Sequence, residues 1–229
     1  MKKLLIIVLG LLISGTIQAQ ENKVMSEKRS FIALHGGISL PVGDFASQNI
    51  DNQYAAFAKT GFNIGLNYGY MFKKPIGIAA GVFYNSYQAS KMMYWFDYGT
   101  GGEAVNLNLD HWKFYGIAAG PMVSFELAPA VEADLRLMGG IANANAPKVT
   151  YLNEVISEGD WATAAVFNGG LDVRILTGKN LFVFANADYN YLKPKFHYNY
   201  TDEFGLPATE NFEQKISTIG ITAGVGIKF

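Results

Sequence analysis

Charged residues fall at spacings of two within otherwise apolar segments: Glu132, Asp134 and Arg136; then Asp172 and Arg174; then Asp188; and last Lys228. In an extended chain, side chains two apart share a face. Each group therefore points to one side of a sheet, while Val131, Ala133, Leu135 and Leu137, for example, point to the other. His35 falls on the same kind of face in an earlier segment, and Lys113 is expected to join it. Opposite charges on neighbouring strands attract, and charge withdrawn from water has to be paired. Two chemistries fit: a structural network filling a narrow interior, or a selectivity or gating cluster in a pore. The structural network is the favoured reading.

Hydrolytic chemistry needs a nucleophile, a base and an orienting carboxylate within mutual reach. The best grouping is Asp110 and His111 with Ser86 or Ser90, all common residue types in a polar stretch. The chain is therefore read as a non-enzyme. The chain has no cysteine, and its histidines, His35, His111 and His197, are far apart in sequence. No metal-ligand spacing appears, and no cofactor is expected. A last candidate is aromatic: Tyr94, Trp95 and Phe96, with Met92, Met93 and Tyr98, form a cluster suited to contact with lipid, glycan or protein. Phe196, His197, Tyr198 and Tyr200 are expected to extend that surface.

These residues need strands to position them. From Phe31 to Phe229 apolar and small or polar residues alternate in about eight segments, clearest at the end: Ile219, Ile221, Ala223, Val225, Ile227 and Phe229 oppose Thr218, Gly220, Thr222, Gly224, Gly226 and Lys228. A period of two is the mark of a strand. The links alternate in length: long at about 45–59, 89–110, 142–159 and 193–214, short at 73–75, 128–130 and 177–180. The expected fold is all-β: an eight-stranded up-and-down antiparallel transmembrane β-barrel, with short turns on the periplasmic side and four long loops outside.

A soluble ligand-binding barrel is the alternative. Its outer face would carry charge, whereas here the apolar face of the segments carries none and the other face is rich in glycine, alanine and asparagine. A single Lys or Arg at mid-bilayer costs about 2–4 kcal/mol, and small residues suit a narrow interior. The apolar face is thus assigned to lipid. Leu135→Arg is expected to impair insertion, and Asn186→Arg to be milder. Charged residues make up 16% of the chain, below the roughly 25% of soluble domains. The formal charge of −1 gives no argument for nucleic acid. Residues 1–19, with Lys2 and Lys3 before the apolar run Leu4–Ile13 and ending at Ala19, read as a signal peptide. Residues 20–29 read as a short periplasmic lead, and 30–229 as the barrel domain.

The stretch Gly36-Gly37-Ile38-Ser39-Leu40-Pro41-Val42-Gly43-Asp44-Phe45 and the terminal strand Ile219–Phe229 resemble those of small outer-membrane barrels of the OmpA/OmpX/OmpW-like kind, especially the "porin family" barrels of Bacteroidota-type Gram-negative bacteria. The resemblance is a pattern over the whole mature chain, and that family shares a fold more than an activity. It implies a cell outer-membrane location and contact with outer-membrane lipid. It also implies periplasmic chaperones and a barrel-assembly machinery that reads Ile221, Val225, Ile227 and Phe229. The role is read as a non-enzymatic envelope or surface protein with a plugged polar lumen, monomeric, its loops facing an extracellular ligand. The alternatives are a narrow porin or channel for small or apolar solutes and, more distantly, a lipid-modifying enzyme.

Overall fold

The structure is a computed structural model that describes residues 29–229, apart from 53, 91, 98–101, 153, 158 and 202–206. The signal-peptide segment 1–19 and the lead as far as residue 28 lie outside the described residues. Eight strands close into an antiparallel barrel: β1 (Ser30–Val42), β2 (Ala58–Lys73), β3 (Ile76–Ala89), β6 (Trp112–Ala128), β7 (Val131–Asn145), β10 (Trp161–Leu176), β11 (Leu181–Leu192) and β14 (Ile216–Lys228). Each pairs with its sequence neighbour in the barrel, and β1 closes on β14 in a register running from Phe31↔Lys228 to Val42↔Ser217. Closure leaves no strand edge with unpaired backbone groups, the condition for lying in hydrocarbon.

The long links carry more structure than loops. They contain the strands β4 (Met92–Asp97), β5 (Gly102–Leu109), β8 (Val149–Tyr151) and β9 (Glu154–Ser157), ordered β4-β5-β8-β9 in one sheet. The last link forms a hairpin of β12 (Lys195–Thr201) and β13 (Pro207–Glu213). Aromatic and alternating residues favour strand there as they do in the wall.

The two faces of the wall behave oppositely. Leu34, Ile117, Leu137, Phe167 and Val225 are exposed, Leu137 by 65%, whereas Glu132, Asp134, Arg136, Asp172, Arg174 and Asp188 are buried. The apolar residues of a strand thus turn outward around the whole barrel. Such a continuous apolar surface far exceeds what water tolerates. Towards the long-loop end of β6, Lys113 shares the outward side with Tyr115 and lies opposite Ser86 and Asn145 on the neighbouring strands. The expectation that Lys113 points inward is thereby corrected: odd positions of β6 face out. Leu135 sits mid-wall and is exposed. Leu135→Arg is expected to cost about 2–4 kcal/mol, read as a lower urea midpoint of refolding into vesicles.

Inside, glycines make room for large neighbours. A Cβ on Gly69 would lie 2.2 Å from the Phe31 ring, and one on Gly220 would lie 2.8 Å from both carboxylate oxygens of Asp188.

Candidate functional site

The lumen is the candidate site. At its short-turn end Arg174, from β10, is the hub. Its Nε lies 2.6 Å from Asp134 Oδ2 and its Nη2 3.1 Å from Glu132 Oε2; Nη2 also donates to Asp134 Oδ1 at 2.6 Å and to Ser124 Oγ at 3.3 Å. Lys228 Nζ meets the same Glu132 Oε2 at 2.5 Å. The guanidinium lies 4.4 Å from the Phe31 ring centroid and 5.5 Å from that of Phe182. The two rings meet edge to face at 5.8 Å. A planar guanidinium can satisfy two carboxylates in its plane while rings cover its faces. These residues pack together inside the short-turn end of the barrel.

Above them, Arg136 Nη1 donates to Asp172 Oδ2 at 2.5 Å. The other oxygen of Asp172 accepts from Asn186 Nδ2 at 2.7 Å, and Asn186 Oδ1 accepts from Thr222 Oγ1 at 3.2 Å. Asp188 Oδ1 accepts from Asn190 Nδ2 at 2.7 Å, and Asn190 Oδ1 accepts from Asn168 Nδ2 at 2.8 Å. Polar side chains thus tie β7, β10, β11 and β14 together across the lumen. His35 is inward and buried, as expected, but it makes no ion pair among the described residues. Its ring packs edge-on to Phe184 at 6.2 Å and occupies the space left by Gly65. Asn186 is packed and bonded on all this, so Asn186→Arg overfills the lumen rather than entering open space.

The long-loop end is capped by rings. Tyr87 stacks on Phe114 at 5.8 Å, and Phe45 meets Tyr87 at 5.2 Å and Trp112 at 5.6 Å. Trp112 also packs on Phe196 at 5.9 Å. Phe45, Tyr87, Phe114 and Phe196 are wholly buried. Tyr87 shares a 2.6 Å hydrogen bond with Ser39 and donates to Asn85 Oδ1 at 3.1 Å. The first long link is folded into this cap. Gly43, at φ +62°, starts the 3-10 turn Gly43–Ala46 that drives Phe45 inward, and Trp112 Nε1 donates to the Ala56 carbonyl at 2.9 Å. No pattern in the sequence marks this cap. Phe45 and Phe196 fall in links rather than strands of the wall, and only the contact between links makes them interior. Phe196 is therefore no part of an outer aromatic surface. Tyr94, Trp95 and Phe96 lie on β4, where the strand is described but their side chains are not; the side chains of Tyr198 and Tyr200 are likewise outside the described ones, as is Tyr98.

The triad-like grouping does not assemble. His111 Nδ1 is 2.9 Å from Asp110 Oδ1, both half exposed, but among the described residues neither Ser86 nor Ser90 bonds to His111. Ser86 is buried on β3 opposite Lys113, and the buried Ser90 hydroxyl has no hydrogen-bond partner among the described residues. The His111 contact lowers the carboxyl of Asp110 below the usual range, which opposes rather than aids its use as a base near neutrality. His197 lies beside Asp160, its backbone N–H donating to Oδ2 at 2.7 Å.

At the foot of the β12–β13 hairpin Lys193 pairs with Glu213. The hydrogen bond and the charge raise the ammonium of Lys193 and lower the carboxyl of Glu213. The Glu213 share of local stability is present above the ordinary carboxylate range and is lost as pH falls through the lowered value. The Lys193 share is present below the ordinary ammonium range and is lost as pH rises through the raised one. Protection of the hairpin amides against hydrogen exchange should therefore be flat through neutral pH and weaken only in acid or strong alkali.

On the C-terminal strand, Ile221, Val225, Ile227 and Phe229 face outward and are exposed, beside the seam where β14 meets β1. No protein-family model matches the chain, and no curated protein matches it. Solved structures do. A major outer membrane protein from Thermus thermophilus matches with a TM-score of 0.55 at 11% identity, over 89% of this chain and 100% of that one. Neisserial surface protein A (NspA) matches with a TM-score of 0.52 at 16% identity, over 87% and 97%. The outer membrane protein OprG of Pseudomonas aeruginosa matches with a TM-score of 0.52 at 12% identity, over 90% and 99%. This chain has the fold of the small outer-membrane β-barrels. Identities this low extend to architecture and no further.

Proposed function

We propose that the chain is a non-enzymatic protein of the bacterial outer membrane, a sealed barrel that holds a structured outer surface rather than a conduit. The observation that supports this reading is a packed cluster towards each end of the lumen, the Arg174 ion pairs at one and the Phe45–Tyr87–Trp112–Phe114 rings at the other. A channel needs a continuous water path; here both ends are occupied by packed side chains. The outer surface is the β4-β5-β8-β9 sheet and the β12–β13 hairpin, elements of the kind through which barrels meet extracellular ligands. The fold's occurrence in proteins named for the outer membrane or cell surface supports the location. In this reading the apolar wall contacts outer-membrane lipid, and residues 1–19 direct export. Ile221, Val225, Ile227 and Phe229 are presented to chaperones and the assembly machinery, and the barrel is monomeric.

Trypsin added to intact cells tests the orientation. Cleavage after Lys148, Lys195 or Lys215, at the long-loop end, with Lys73 and Lys179 protected until the outer membrane is opened, is the expected result. Cleavage at the short turns first would overturn it.

A further inference from the structure

A recess runs down the outer wall across β2, β3, β6 and β7. Its upper part holds about 740 Å³ and its lower part about 490 Å³. The two share the same sides, Leu66, Val82, Ile117 and Ile141, and so form one continuous groove. The floor of the lower part is Ala80, Ala119 and Gly139, outward positions where their strand neighbours carry large apolar side chains. A Cβ placed on Gly139 would meet nothing within 4 Å. The upper end is polar and aromatic. Tyr84, Tyr115, Asn143 and Thr163 line it, and the Tyr115 hydroxyl accepts from Asn143 Nδ2 at 3.3 Å, which leaves the phenolic proton to donate. Trp161 packs on Tyr115 at 5.7 Å. Tyr and Trp favour the membrane–water boundary, so the groove begins at the boundary on the long-loop side. From Asn143 to Gly139 it follows about 13 Å of strand, which on a strand tilted by about 40° is about 10 Å of depth, about two thirds of one leaflet's half of the roughly 30 Å hydrocarbon core.

We infer that this groove is a lipid site that holds one acyl chain of an outer-leaflet lipid, with the Tyr115 hydroxyl donating to an ester, amide or hydroxyl oxygen at the head of that chain. The inference rests on the membrane reading above. Its shape argues for a chain and against a second copy of the barrel: a two-fold contact centred on the groove sets the same patch against itself and would leave hollow facing hollow. A flexible hydrocarbon fills a groove with small residues at its floor, and an amphipathic lipid matches its apolar length and polar upper end.

The full mature chain is refolded into phosphatidylcholine vesicles, insertion is confirmed by its altered gel mobility before heating, and the protein is extracted into mild detergent for native mass spectrometry. The expected result is a one-to-one phospholipid adduct on the wild type, reduced at least tenfold in Gly139→Leu and in Ala119→Leu, both of which fill the floor from the lipid side. Inserted wild-type protein without an adduct would overturn the inference, as would an adduct that both variants retain. A wild-type dimer that Gly139→Leu abolishes would overturn it in favour of a second copy. Failure of the wild type to insert would instead strike the membrane reading itself.

Discussion

Arg174→Met should lower the stability of the barrel by about 3–5 kcal/mol, the usual cost of removing one partner of a buried ion pair. The wild-type guanidinium neutralises Asp134, which is wholly buried, and helps Lys228 neutralise Glu132. Methionine keeps the apolar contact with Phe31 and Phe182 but leaves Asp134 without its cation. Glu132 keeps Lys228. The damage is therefore concentrated on one carboxylate, and Asp134→Asn in the Arg174→Met background should restore a substantial part of the loss. Arg174→Lys should recover less, because a point charge cannot meet two carboxylates with the geometry of a planar fork. Urea unfolding of the vesicle-inserted protein checks the series. Equal stability of Arg174→Met and wild type would mean that the base cluster contributes no net stability.

Phe114→Ala should cost a similar amount, about 3–5 kcal/mol, through the cavity left by a fully buried ring. Phe114 stacks on Tyr87 and meets Phe83 edge-on at 6.2 Å, so its loss also releases Tyr87 from one side. The functional expectation is sharper than the energetic one. Removing Phe114 opens the mouth of the barrel but not its base, where Arg174, Glu132, Lys228, Phe31 and Phe182 remain. The variant should be less stable yet still closed to ions. Urea unfolding and bilayer conductance, measured on the same preparation, separate the two effects.

The wall is readable in the sequence because it obeys a simple rule. A face that must be apolar all round and a face that must be small or paired produce strict alternation, and β14 shows it from Thr218 to Lys228. The inward charges are readable for the same reason. Which of them meet is not. Arg174 reaches Asp134 and Glu132 on β7, opposite it in the register Asp172↔Asp134 and Arg174↔Glu132; β7 and β10 are joined by the long link 146–160, whose length leaves that register open to a reading by alternation alone. The mouth cap is hidden more deeply. Phe45 becomes interior only because Gly43 turns the chain back, and Phe196 only because the β12–β13 hairpin folds over Trp112. Those are contacts between segments distant in sequence, with no periodicity to announce them. Lys113 departs from expectation for a local reason: near the rim a charged residue can share the outward side with Tyr115, since its amine reaches water.

Whether the lumen is sealed is tested most directly by the conductance of the full mature chain in a planar bilayer, with insertion confirmed independently. A sealed barrel gives no steady current steps from inserted wild-type protein in salt solution, and that is the expected result. Reproducible ohmic openings would contradict it, and would turn Arg136, Asp172, Arg174 and Glu132 from the struts of a plug into the walls of a pore.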